Sequence, residues 1–471
     1  MIHDRKLRVA PTPIPGLLLV DLPVPGDNRG WFKENWQREK LLALGVPDLG
    51  PVQNNISFND AVGTTRGIHA EPWDKYVSVA TGRIFGAWVD LREGETFGTV
   101  FTAELDPSRA ILVPRGVGNS YQTLEPDTAY TYLVNAHWAP DAEYTFLNLA
   151  DETAAIDWPI PLESVEVSAK DRAHPRLAGV RPMPPRRTLI LGGGGQLGRA
   201  LAAAMPDADV ATRADVDLAD PALETALRWN DYAVVVNAAA YTAVDAAETP
   251  EGRRTAWAVN VEALTRLSRI AAEHGLVLVH VSSDYVFDGT ADQHTEDEPL
   301  TPVGVYGQTK AAGDAVVALL AKHYLVRTSW VVGDGANFVR TMAALARRGT
   351  NPSVVDDQIG RLSFTSEVAR AIVHLLSTAA PYGTYNVTSA GEPSSWAQIA
   401  RAVFRQLGRD EDDVRPVSSA EYGEGRALAP RPARSVLVLD RIEATGFRPR
   451  SQAELLREYL AGDSPVSPRT P

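Results

Sequence analysis

The hydrophobic pattern changes character once along the chain. Up to about residue 170 it consists of short apolar runs, Leu17–Val20, Tyr76–Ala80, Ile84–Leu91, Thr99–Leu105, Ala110–Val113 and Ala129–Val134, separated by Gly, Pro, Asn and Asp. Runs of this length and spacing predict an all-β sandwich or barrel. One helix is expected at about 37 to 44. From Thr188 the order becomes strand (Thr188–Leu191), glycine loop, then a helical run over Gln196–Met205. Two more apolar runs, Tyr232–Asn237 and Leu276–Ser282, are accompanied by helical segments near 250 to 274. That alternation predicts a parallel sheet covered on both faces. Between the two patterns, Arg172–Arg187 carries four prolines and little periodicity, and reads as a semi-extended linker. The expected division is therefore 1–175, a linker at 176–187, 188–462, and a flexible polar tail at 463–471.

Composition narrows the function classes. A chain of 471 residues exceeds what one core organises. The net charge of -13 argues against a general nucleic-acid surface. With no cysteine there is no disulfide, thiolate metal site or cysteine nucleophile. No apolar run reaches a membrane span, and the N-terminus leads into no signal-peptide pattern, so a cytoplasmic protein is expected. Lysine is scarce beside arginine, which draws attention to Lys75, Lys170 and Lys310, each inside a chemically suggestive segment.

In the second half, Gly192-x-x-Gly195-x-x-Gly198 follows a strand and opens a helix. Glycines there allow a tight turn and bring backbone N–H groups to a pyrophosphate. Tyr306-x-x-x-Lys310 places a phenol and an ammonium on one helix face. Chance supplies only roughly 0.2 such pairs in a chain this rich in tyrosine and poor in lysine. An ammonium beside a phenol is expected to lower its pKa, so that the phenol protonates the alkoxide formed when hydride reaches a ketone. Ser283 precedes them at a strand end.

Gly195–Gly198, Val236–Glu248, Asn260, Val281–Gly289, Val305–Lys310, Arg327–Trp330 and Asp357-Gln358 together resemble the extended short-chain dehydrogenase/reductase family, and within it dTDP-4-dehydrorhamnose reductase, over about residues 188 to 460. The resemblance implies a Rossmann-type α/β domain with a small C-terminal substrate-binding subdomain. It implies Ser283, Tyr306 and Lys310 as the catalytic triad, with Tyr306 and Lys310 also contacting the cofactor. NADPH or NADH would be lined by Gly192, Gly195, Gln196, Leu197, Gly198, Asp217, Leu218, Ala238, Ala239 and Ala240, and Trp330 and Arg431 would face the sugar nucleotide. Arg213 could pair with a 2′-phosphate or lie on the surface. Some relatives hold Mg2+ at a dimer contact, for which this sequence identifies no ligands.

In the first half, inverting a carbon beside a ketone needs a base on one face and an acid on the other. A His oriented by a carboxylate, a Lys at the enolate oxygen and a Tyr acid would suffice. Gly26–Glu34, Val52–Asn55, Arg66–His69, Ala87–Arg92, Phe97-Gly98, Val113–Gly116, Ile156–Pro159 and Ser168–Asp171 resemble dTDP-4-dehydrorhamnose 3,5-epimerase, a cupin-type (jelly-roll) barrel, over residues 9 to 177. The resemblance implies His69 as base, Asp171 as its partner, Lys75 at the enolate and Tyr132 as acid. Arg29, Glu34, Gln53, Asn55 and Arg66 would hold the nucleotide and sugar, and Trp138 would stack on the base. Three positions depart from the pattern: Asn119 where a substrate-facing His stands, Glu71 for Gln and Leu133 for Lys. The barrel lacks the His-x-His metal pattern of many cupins, so no metal is expected there.

The two halves suit consecutive steps on one dTDP-sugar, and a homodimer through the first half is implied. The alternatives are an active reductase whose barrel is a binding or assembly module or acts with altered stereochemistry on another dTDP-deoxysugar, and a catalytically silent relative.

Overall fold

The short strands of the first half pair into two antiparallel sheets. In the computed structural model, which describes residues 5–138 and 142–462, one sheet runs in the order Arg8–Pro11, Leu18–Asp21, Arg109–Val113, Lys75–Thr81, Thr128–Val134, Gln53–Asn59. The other runs Thr145–Phe146, Thr65–Ala70, Val117–Thr123, Ile84–Asp90, Val100–Leu105. Val77, Val79, Ile111 and Tyr130 of the first sheet interlock with Ile84, Trp88, Val117 and Tyr121 of the second to form the central core. Further apolar layers lie behind each sheet, around Val20, Leu41 and Tyr76 on one side and around Ile68, Val89 and Leu147 on the other. The expected helix is present at Arg38–Ala43, with the Gln37 side chain accepting from Lys40 N–H.

Several strands of this unit match no apolar run, and three of them bear polar side chains that matter below. Gln53–Asn59 is an edge strand with alternating exposure, and Thr65–Ala70 carries the polar Arg66 and His69. Val117–Thr123 is buried at every position despite its polar sequence. Its side chains find partners: Ser120 Oγ donates to the Ala87 carbonyl at 2.7 Å and Gln122 Nε2 to that of Ile160 at 2.9 Å. Burial of polar side chains is tolerated where each is hydrogen-bonded.

The chain divides into two units, Met1–Pro185 and Arg186–Pro471. The proline-rich stretch is built into the first unit. Leu177, Val180 and Met183 are buried, and Met183 N–H donates to the Leu91 carbonyl at 2.8 Å. The tail expected at 463–471 lies outside the described residues.

The second unit is a six-stranded, all-parallel sheet in the order Asp209–Ala211, Arg187–Leu191, Tyr232–Asn237, Val277–Ser283, His323–Thr328, Gly383–Asn386. The chain steps to one side of Arg187–Leu191 and then crosses to the other, which opens a crevice at the C-terminal ends of the strands. Helix Ala263–Glu273 covers one face, and helices Gln196–Ala204 and Thr365–Ser377 cover the other. A further core is formed by helices Phe338–Arg347, Trp396–Gln406 and Gln452–Gly462.

Ile111 is fully buried between the two sheets of the first unit. Ile111→Ala is expected to destabilise that unit by about 2–5 kcal/mol. Urea unfolding followed by fluorescence should show the lower midpoint with an unchanged slope.

Candidate active sites

In the first unit, His69 on strand Thr65–Ala70 meets Asp171, the two being 102 residues apart in sequence. His69 Nε2 lies 2.9 Å from Asp171 Oδ1, and Gly67 N–H donates to Oδ2 at 3.4 Å. Asp171 is held by the short helix Ala169–Arg172, whose cap, the Ser168 hydroxyl, accepts the Asp171 N–H at 3.0 Å. Burial works against the charge of Asp171. The His69 hydrogen bond and field, with the Gly67 N–H, outweigh it and hold the carboxyl below its ordinary range.

Aromatic rings back this dyad. Phe146 packs edge-on to His69 at 5.6 Å between centroids, and His174 lies 5.3 Å from His69 while stacking on Phe146 at 4.6 Å. Trp138, expected to stack on the nucleobase, is exposed, with its backbone N–H on Gln53 Oε1. Among the described residues, His69, Asp171 and His174 also bring ligand-type atoms within 4.8 Å of one another, a convergence that sequence spacing did not indicate.

Lys75 is buried, ion-paired with Glu71, and 4.9 Å from the centroid of the Tyr132 ring. Burial pulls the ammonium down to about 7, while the touching carboxylate favours the charged form. Glu71 also accepts from Trp73 Nε1 at 3.1 Å, so the departure from Gln is absorbed by a local charge pair. Tyr132 has its hydroxyl raised by burial and by Tyr121, against the pull of Arg66 and a hydrogen bond from Asn55. Gln53 Nε2 donates to Asn55 Oδ1 at 2.9 Å. Lys75, Tyr132, Arg66, Asn55 and Gln53 are thus gathered together. Arg29 and Glu34 are engaged elsewhere, with Asp27 and Lys40 at exposed positions. Asn119, expected to face substrate, is buried in the core. Its Oδ1 accepts Trp88 Nε1–H at 2.9 Å and its Nδ2 donates to the Tyr130 hydroxyl at 3.0 Å.

In the second unit the glycine loop turns where sterics demand it. Gly192 has φ +83°, and a Cβ there would lie 2.7 Å from Ala239 N. A Cβ on Gly198 would lie 2.1 Å from the Gly192 carbonyl oxygen, whereas nothing stands within 4 Å of one on Gly194. Close packing behind and open space in front, at the N-terminus of helix Gln196–Ala204, form a cradle suited to a pyrophosphate. A cavity of about 890 Å³ extends from this loop, and every residue expected to line a cofactor borders it except Gly198, which packs beneath. Gln196 ties the loop to the facing segment, accepting Gly333 N–H at 3.0 Å and donating to the Ala336 carbonyl at 3.1 Å.

Ser283, Tyr306, Lys310 and Trp330 border the same cavity. Trp330 stacks on Trp396 at 3.7 Å between centroids. Ser283 Oγ donates to Asp284 Oδ1 at 2.9 Å and is hydrogen-bonded to Tyr306. Burial raises the Tyr306 hydroxyl well above its ordinary value. The expected lowering by Lys310 is not the governing effect, because Lys310 Nζ is turned to the Val281 carbonyl (2.8 Å) and to His280 (3.1 Å). Burial lowers Lys310 itself to about 8. Arg213 is exposed beside Asp217 at 3.3 Å. Arg431 pairs with Asp245 at 2.8 Å and borders a second cavity of about 770 Å³, which shares Tyr285 and Trp396 with the first.

A histidine–carboxylate dyad in a β-sandwich and a Ser-Tyr-Lys constellation beside a glycine loop define a protein with two enzyme-like sites. Residues 11–179 match the family described as dTDP-4-dehydrorhamnose 3,5-epimerase, and residues 186–464 match RmlD substrate binding domain. The chain belongs to both families, one in each part. A protein described as an RmlC homolog from Streptococcus pyogenes is 52% identical over 180 residues, 37% of this chain and 90% of that protein. The dTDP-4-dehydrorhamnose reductase of Streptomyces griseus is 38% identical over 281 residues, 57% of this chain and 90% of that protein. The crystal structure of the Bacillus anthracis dTDP-4-dehydrorhamnose reductase in complex with NADP is 30% identical, covering 59% of this chain and all of that one with a TM-score of 0.55.

Two outcomes follow from this geometry. Because Asp171 is depressed in the folded state, its contribution to stability is complete above the unfolded carboxylate value of about 3.9 and is lost as pH falls below that toward its folded value. Asp171→Asn should flatten this acid-side loss in urea midpoints measured between about pH 5 and 3. Gly198→Ala drives a methyl into the Gly192 carbonyl, and should abolish the quenching of protein fluorescence by NADPH at concentrations that saturate wild type.

Proposed function

We propose that the chain is a bifunctional enzyme of dTDP-L-rhamnose formation. Its first unit inverts C3 and C5 of dTDP-4-dehydro-6-deoxy-glucose, and its second reduces the C4 ketone with NAD(P)H. The observation that carries this reading is the preservation of both reaction centres in one chain: His69 on Asp171, and Ser283, Tyr306 and Lys310 around one cavity.

In the first unit, read as a cupin-type barrel, the C–H bonds beside the ketone are acidic because the carbanion delocalises as an enolate. His69 takes the proton, and Asp171 fixes the ring and favours the imidazolium. Lys75, a buried cation, is placed to stabilise the enolate oxygen, and Tyr132, protonated at working pH, to return a proton to the opposite face. Asn119 stays in the core and leaves the dyad intact, which favours an active barrel over a binding module.

In the second unit, read as a Rossmann-type domain with a substrate subdomain, the glycine cradle and the Ala238–Ala240 segment would hold the dinucleotide. NAD(P)H, when bound, supplies a hydride to C4. Tyr306, kept as a phenol by burial, donates its proton to the resulting alkoxide, and Ser283 orients that oxygen. The second cavity, with Tyr422, Arg426 and Arg431, suits the nucleotide, and Tyr285 and Trp396, shared by the two cavities, support a sugar held between them. Exposed Ile56 and Phe58 on the edge strand Gln53–Asn59 support a homodimer through the first unit. Among the described residues no helix is long and apolar enough to cross a membrane, in keeping with a cytoplasmic location.

Deuterium uptake and NADPH oxidation separate the two activities. In D2O, His69→Ala should slow deuterium incorporation at C3 and C5 by about 10²–10⁴-fold while leaving NADPH oxidation intact on sugar epimerised beforehand. Tyr306→Phe should do the reverse. Undiminished deuterium uptake in His69→Ala would remove His69 from the reaction.

A further inference from the structure

Behind Tyr306 lies a buried histidine that the chemistry above does not use. His280, in strand Val277–Ser283, is 2% exposed. Its Nδ1 is 3.1 Å from Asn237 Nδ2, and its Nε2 is 3.1 Å from Lys310 Nζ. The Asn237 amide cannot be turned over without loss, because its Oδ1 accepts the backbone N–H of Ala239 at 3.0 Å, and a backbone N–H only donates. The Nδ2 donor therefore faces His280.

A neutral imidazole offers one donor and one acceptor. If Nδ1 accepts from Asn237, Nε2 carries the proton and donates to Lys310 Nζ, which only a neutral amine can accept. If Lys310 is an ammonium, Nε2 must accept, Nδ1 carries the proton, and two donors confront each other at Asn237. A doubly protonated ring meets a donor at Asn237 as well. Every hydrogen bond in the row is made only when Lys310 is neutral.

The surroundings act in the same sense. Burial lowers Lys310 to about 8, and burial together with Lys310 keeps His280 well below its ordinary value, so the ring stays neutral. The other ionisable groups nearby are few. Asp314, one turn further along the helix Val305–Val317, favours the ammonium but is engaged by Arg327 Nε at 2.9 Å. Tyr306 on the same helix is held protonated, and Asp284 is turned to Ser283 and Ser435.

We propose that His280 is a positioning residue that couples the proton on Lys310 to the cofactor-side segment Ala238–Ala240: protonating Lys310 reverses the His280 tautomer and breaks its hydrogen bond to Asn237, and deprotonating it restores the bond. Ala239 borders the cofactor cavity, so the charge of the lysine is transmitted through Asn237 to that wall. Asn237→Asp should cancel the coupling. One carboxylate oxygen accepts Ala239 N–H and the other accepts Nδ1–H, leaving Nε2 free to accept from an ammonium.

The kinetic consequence rests on the reductase reading, whereas the direct test does not. That test is ¹⁵N magic-angle-spinning NMR of the full chain labelled at histidine ring nitrogens, with His280→Gln identifying the His280 lines. At about pH 10, near the ordinary lysine value, Nε2 should carry the proton; at about pH 6.5, Nδ1 should carry it. In Asn237→Asp, Nδ1 should be protonated at both. A proton on Nδ1 in wild type at both pH values would overturn the proposal, and wild type alone decides this if Asn237→Asp does not fold. Asn237→Asp should also move the alkaline limb of NADPH oxidation upward by about one pH unit, the worth of one hydrogen bond. An absence of NADPH oxidation in wild type would sink the reductase reading and leave the NMR result standing.

Discussion

Each unit removes a lysine from water and builds its site around the consequence. A buried ammonium without compensation costs several kcal/mol, so it must find partners or lose its proton. Lys75 finds the Glu71 carboxylate and the face of Tyr132. Lys310 finds a backbone carbonyl and an imidazole, neither charged, and its proton is correspondingly loosely held. Burial lowers both ammonium groups, and what separates the two sites is the partner each one finds: a carboxylate beside Lys75 and only neutral groups beside Lys310.

The two sites are assembled by different means. In the sandwich, side chains distant in sequence converge: the dyad joins residues 102 apart and its rings come from Phe146 and His174. In the parallel sheet, backbone does most of the positioning. Strand ends deliver Ser283 and the Ala238–Ala240 segment to one crevice, and glycines remove the Cβ atoms that would block it. Tyr306 and Lys310 need only the one helix they share.

This contrast sets what could be read without coordinates. The glycine loop and the Tyr-x-x-x-Lys pair are local patterns with a mechanical meaning, and they were legible. The core strands with apolar runs, such as Lys75–Thr81 and Tyr232–Asn237, were equally so. Val117–Thr123 was not, because its burial depends on hydrogen bonds to Ala87 and Ile160 that no periodicity signals. Nor was the seating of Asn119 against Trp88, the place of Phe146 beside His69, or the packing of Leu177 and Met183 in a proline-rich stretch that resembles a linker. Each is a contact between segments far apart in the chain. The direction of Lys310 is hidden for a related reason: spacing shows that two groups share a face but not where the ammonium points.

The central claim is that one chain carries out both steps, and it is tested most directly by the identity of the product. Wild-type protein, given dTDP-4-dehydro-6-deoxy-glucose and NADPH with nothing else, should consume the two in equal amounts and yield dTDP-L-rhamnose by NMR. If NADPH is consumed only after a separate epimerase is added, or if the product retains the D configuration at C5, the account of the first unit is contradicted.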